Sequence, residues 1–144
     1  DLNPRSQLLV LEVRRELERL LSRSSAERLD EEQRKKFLEL AAGMDTAART
    51  GDDLMFMRLD RELNTQMIEA ARNDYAARAM KLLQGLSRRF WYMHYREAAD
   101  LPLCARLHAT QARAIASGDG QKAARATDAL MDYVESFTRS TVAL

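Results

Sequence analysis

Residues that stop helices are scarce in this chain and fall in short clusters. Five Gly and two Pro stand among 144 residues, and several of them lie in the breaks Thr50-Gly51-Asp52, Asp100-Leu101-Pro102 and Gly118-Asp119-Gly120. Between the breaks Ala, Leu, Arg, Glu and Met dominate, residues that enter a helix at little cost. Asp30, followed by Glu31, Glu32 and Gln33, places carboxylates at the positive end of a helix dipole, and Asn73-Asp74 marks another boundary. This punctuation predicts an all-α fold without a sheet, an antiparallel bundle of about six helices with short links. With 46% hydrophobic residues the chain can bury one sizeable core, which predicts a single domain over residues 1–144.

Apolar spacing assigns each helix a buried stripe. The first, Leu8 to Leu29, carries Val10, Val13, Leu17, Leu20 and Leu21 after Pro4 in the lead-in. The second runs through Phe37, Leu40, Ala41, Met44 and Ala48 and ends before Gly51. The fourth, about Tyr75 to Arg96, is predicted to bury Ala79, Leu82, Leu83, Leu86, Phe90 and Met93. Its run Arg88-Arg89-Phe90-Trp91-Tyr92, with Tyr95, reads as core and interface packing, since one basic-aromatic run on a neutral chain is weak evidence for base stacking. The last helix, about Gln121 to Thr141, buries Ala123, Leu130, Val134 and Phe137.

The third helix, Asp53 to Arg72, breaks the pattern. Arg58, Arg61, Glu62, Thr65, Glu69 and Arg72 form a solvated face opposite Phe56, Met57, Leu59, Leu63, Met67, Ile68 and Ala71. Asp60 and Asn64, one turn apart, sit in the middle of the apolar side. A carboxylate turned into a core costs several kcal/mol unless a charge, a hydrogen bond or a metal meets it. The fifth helix, to Ser117, offers a partner: His108 falls among Leu101, Cys104, Ala112 and Ile115. A lone His there is more often a hydrogen-bonded core residue, but a neutral imidazole beside a carboxylate is a common metal-ligand pair. Arg14 and Glu18, at the margin of the first stripe, are either an intrahelical pair or a pair in which Arg14 turns inward as a fixed cation.

Several function classes are disfavoured. A net charge of +1, from 23 basic and 22 acidic side chains, argues against a nucleic-acid grip. The single cysteine, Cys104, has no internal partner and suits a reducing cytoplasm. No signal peptide or membrane-length apolar run is found, the longest run being Leu8 to Leu11, so a soluble chain is expected. Its start at Asp1 rather than Met suggests a piece of something longer. There is no phosphate loop, CxxC, HExxH or nucleophile elbow, and the only two His are His94 and His108. No catalytic residue is expected, and a pocket with Asp60, Asn64, His108 and Arg14 suits binding better than turnover.

Val13-Arg14, Leu17-Glu18, Gly51-Asp52, Asp60 with Asn64, Asn73, His108, Ala114-Ile115 and Gly118-Asp119, in that order over nearly the whole chain, resemble the FCD effector-binding domain of FadR-type GntR transcription regulators. The resemblance implies a bacterial all-helical bundle joined to an N-terminal winged helix-turn-helix, with dimerisation and control of operator binding by a small organic acid. It also implies a divalent metal (Zn, Ni or Mn) held by an Asp and three His, with the effector carboxylate completing its coordination. By position the Asp is Asp60 and the middle His is His108, while Asn64 and Leu130 stand where the other two would be. An amide oxygen coordinates hard cations and a Leu coordinates nothing, so a metal-free or weakly metallated pocket is expected. Arg14 is then the best-placed cation for a carboxylate effector, and His94 either supplies a replacement nitrogen or packs.

Two readings follow. One is a cytoplasmic, dimeric, ligand-sensing domain of a transcription regulator, with DNA reached only through the attached domain and no membrane partner. The other is a structural or adaptor bundle whose interior polar groups satisfy one another. A cavity near Asp60 discriminates between them. A metal-dependent hydrolase ranks last for want of ligands.

Overall fold

The computed structural model describes residues 3–143. Six α-helices account for nearly all of them: α1 (Pro4–Arg28), α2 (Glu31–Thr50), α3 (Asp53–Ala71), α4 (Asp74–Ala98), α5 (Leu101–Ala116) and α6 (Gly120–Ser140), with a terminal 3-10 turn at Thr141–Ala143. No strand occurs among the described residues. The helices are capped as the sequence predicts. Asp30 and Gln33 form a reciprocal capping box, and Asp52, Asn73, Asp100 and Asp119 each accept a backbone N–H from the first turn they precede. Gly51, at φ 66°, closes α2 in the left-handed conformation that a side chain disfavours. One boundary differs from expectation. Pro4 is the first residue of α1 rather than part of a lead-in, because Asn3 caps it by accepting the N–H of Ser6 at 2.8 Å.

The two most extensive helix pairings skip the chain neighbours. The most extensive contacts are α2 with α5 and α1 with α6, followed by α5 with α6, α1 with α3, α2 with α3 and α1 with α4, whereas α1 with α2, α3 with α4 and α4 with α5 pack little. On α5 the alanines at 105, 109, 112 and 116 are buried, and that helix is tied to α2 by the Arg113–Asp45 ion pair and by Arg34 donating to the carbonyl of Ala116. Phe37, Met44, Leu63, Met67, Met80 and Ile115 are fully buried in the core.

Two of the predicted stripes are rotated. On α1 Val13 is exposed, and the buried side holds Gln7, Leu11, Glu18, Leu21, Ser22 and Ser25. Two of the polar members have tertiary partners: Ser25 Oγ reaches the carbonyl of Met67 as well as that of Leu21 one turn back, and the Gln7 amide donates to the Leu86 carbonyl at 3.4 Å. On α4 the predicted core residues Ala79, Leu82 and Met93 are exposed, and the buried residues are Ala76, Met80 and Phe90. The α4 helix leans chiefly on α1, and Leu82 and Met93, on the side that its aliphatic spacing favours, stay exposed among the described residues.

Candidate functional site

Asp60 and Asn64 on α3 line a cavity of about 70 Å³ that they share with Arg14 of α1, His108 of α5, Val134 and Phe137 of α6, and a face of α4. One water needs roughly 10–15 Å³ by the same measure, so the space holds several waters or a small organic molecule. The four side chains singled out in the sequence therefore meet at one place. Asp60 Oδ1 lies 3.0 Å from His108 Nε2, with the carboxylate side chain 28% exposed and the imidazole 9%. His108 Nδ1 lies 2.8 Å from the carbonyl oxygen of Cys104, one turn back on α5. A carbonyl only accepts, so Nδ1 is assigned the proton, and an imidazole that also donates from Nε2 to a carboxylate carries a positive charge. The edge of the Phe56 ring packs against the imidazole, with centroids 5.2 Å apart.

The electrostatics agree with this geometry. Burial opposes charge on His108, but the Cys104 and Asp60 side chains more than offset it and hold its pKa well above the usual 6.5. For Asp60 burial likewise favours the neutral acid; the hydrogen bond and charge of His108, then the guanidinium groups of Arg14 and Arg88, keep its pKa below the usual 3.8. The two alternatives for Arg14 turn out to be compatible. Its Nε stands 3.4 Å from Glu18 Oε1, a buried carboxylate, while the same side chain lines the cavity.

The residue model of the FCD domain matches positions 9–133. The chain belongs to the FCD family. FCD domains are the effector-binding domains of FadR-type GntR regulators, so the match places this chain in a class of regulatory domains. No curated protein matches the sequence closely enough to add a relative.

The metal implied by the resemblance does not fit the donor set of this FCD domain. Asp60 and His108 are in direct contact and satisfy one another. Leu130 is buried and is not part of the cavity wall, which leaves the amide of Asn64 as the third donor. Among the described residues no group of three or more His, Cys, Asp and Glu side chains is gathered at metal-binding spacing. A structural or catalytic zinc needs three or four such ligands, and a hard cation needs more oxygens. His94 supplies no replacement: its ring packs on Phe90 at a centroid distance of 4.6 Å and lies outside the cavity lining.

The FCD cavity also uses residues that the sequence reading missed. Gln84, Ser87, Arg88, Trp91 and Tyr92 of α4 face it, along with Gln7 and Thr138. Two polar links fasten this wall to α3: Arg61 donates to the Tyr92 hydroxyl at 2.8 Å, and the Tyr95 hydroxyl donates to Asp53 at 2.7 Å. The spacing of Gln84, Ser87, Arg88 and Trp91 at one helical face was the available signal, masked by the apolar Leu86 and Phe90 between them.

Proposed function

We propose that this FCD domain is the ligand-sensing part of a bacterial FadR/GntR-type transcription regulator, binding a small carboxylate inside the bundle and governing DNA binding by an attached winged-helix domain. The observation that carries this reading is the hollow at Asp60. A closed adaptor core would pack its polar groups against one another, whereas here a guanidinium, a carboxylate, an amide and an imidazole converge on empty space. The effector binds without a firmly held metal, and Arg14 adds to the positive charge on the cavity wall that favours an acid. Because α1, α3, α4, α5 and α6 all reach the cavity, a ligand that binds one arrangement of these helices better than another shifts their relative setting, and with it the DNA readers.

Titration of the domain with a panel of carboxylates, followed by thermal melting, tests the reading. At least one acid is expected to raise the melting temperature, and Arg14→Ala, which takes a positive charge off the cavity wall and strands the buried Glu18, to weaken that acid about 10-fold. Absence of a shift with every acid refutes the sensor.

The domain works as a homodimer paired through α4. Tyr75, Ala79, Leu82 and Leu86 recur at the alternating four- and three-residue spacing of a helix–helix seam, Met93 follows one heptad on, and Tyr75, Leu82 and Met93 are 81%, 70% and 59% exposed. Leu82→Asp is expected to convert the dimer to monomer in sedimentation equilibrium, with the helical content unchanged.

A further inference from the structure

The wall that α4 lends to the cavity has hydrogen-bonding capacity that the protein itself does not use. Gln84, Ser87, Arg88 and Trp91 all line the cavity. The Gln84 amide nitrogen, the Ser87 hydroxyl and the Trp91 indole nitrogen are buried and have no hydrogen-bond partner among the described residues. The amide and indole nitrogens are donors only, and the hydroxyl donates as well as accepts. Buried donors of this kind are rare unless something occupies the space beside them.

Charge narrows what that something is. Arg14 is paired with Glu18, and His108 with Asp60. Each pair sums to zero wherever the proton between Asp60 and His108 sits. Arg88 makes no hydrogen bond or ion pair among the described residues and leaves one positive charge on the cavity wall. A single uncompensated cation in a half-enclosed site is matched by a single anionic group, and a second carboxylate would be buried without a partner. On the opposite side, Asp60 retains an oxygen not engaged by His108, and Asn64 offers its amide oxygen. These acceptors call for hydroxyl donors.

Resting on the sensor reading above, we infer that the effector is a hydroxylated monocarboxylate whose acid group lies against Arg88 on α4 and whose hydroxyls reach Asp60 and Asn64 on α3. Gln84, Ser87 and Trp91 donate to its remaining oxygens. The orientation is opposite to one in which the acid joins a metal at Asp60 and His108, since here that end of the cavity holds only a neutralised pair. The space suits a chain of about three to six carbons, given the room one water takes.

Trp91 is the only tryptophan of the chain and lies on the cavity wall, so its emission reports occupancy directly. The whole domain is titrated with glycerate and gluconate, with butanoate (acid without hydroxyls), glycerol (hydroxyls without acid) and malate (a second carboxylate), each with and without EDTA. Glycerate or gluconate is expected to give a saturable emission change unaffected by EDTA, at least tenfold tighter than the other three probes. Arg88→Gln is expected to weaken that probe at least tenfold with the circular dichroism spectrum unchanged, and Arg88→Lys to fall between the two. Tighter binding of malate, loss of binding in EDTA, or an Arg88→Gln variant that binds normally while Arg14→Ala does not, overturns this inference and leaves the sensor reading standing. No emission change and no melting shift with any of the four acids overturns both.

Discussion

Phe56→Ala is expected to destabilise the domain by about 3 kcal/mol and, in the same protein, to widen the cavity at Asp60. Phe56 is 3% exposed, and its ring is wedged between His108 and Trp91, with centroids 5.2 and 5.8 Å away. Removing a buried aromatic ring typically costs about 3–5 kcal/mol. The lower end applies because the ring already borders the cavity, so water can enter the space it vacates. Against a total stability of roughly 5–15 kcal/mol for a domain, that is a large share. Urea denaturation checks the first part: the midpoint should fall while the slope stays the same. The second part is checked by ligand size, since the variant should accept acids that the parent excludes. A variant that is no less stable would mean that the ring contributes little packing, and the edge contact to His108 would then be incidental.

Asp60→Ala is expected to cost about 2–3 kcal/mol at neutral pH, because it strands a mostly buried imidazolium whose other nitrogen is committed to the Cys104 carbonyl. The pH dependence follows from the directions of the two shifts. Stabilisation through His108, whose folded pKa is raised, is complete below the unfolded value near 6.5 and is lost as pH rises through the folded one. Stabilisation through Asp60, whose folded pKa is lowered, is complete above the unfolded value near 3.8 and is lost as pH falls through the folded one. The pair thus supports the fold most fully between about pH 4 and pH 6.5. In Asp60→Asn this plateau should flatten, and the His108 ring carbons should titrate at lower pH by NMR. An unchanged imidazole titration would show that the contact with Asp60 does not govern the charge on His108.

Much of the molecule was legible along the chain. The helix boundaries follow from caps and breakers that act over three or four residues: Asp30 with Gln33, Gly51 with Asp52, Asn73, Asp100 and Asp119. The centre of the site was legible for a similar reason. Asp60, Asn64 and His108 violate the apolar pattern of their own helices, and a violation that a helix cannot resolve alone announces a tertiary partner. The α4 wall sent no such signal. Gln84, Ser87 and Arg88 look like an ordinary solvated face, while Ala79, Leu82 and Met93 look like core, and the chain orients the two the other way round.

That inversion marks the boundary between local and tertiary information. The order of helices, their ends, the all-α class and the clash of polar groups with apolar faces are properties of residues a few positions apart, so the sequence by itself determined them. The choice of α1 as the main support of α4 and of α5 as the partner of α2, the union of Arg14 with Asp60 and His108, and the cavity they enclose belong to the tertiary structure. Helix faces are defined by periodicity, but which face meets a neighbour is decided by how all six helices together bury the most apolar surface while leaving no buried charge unpaired.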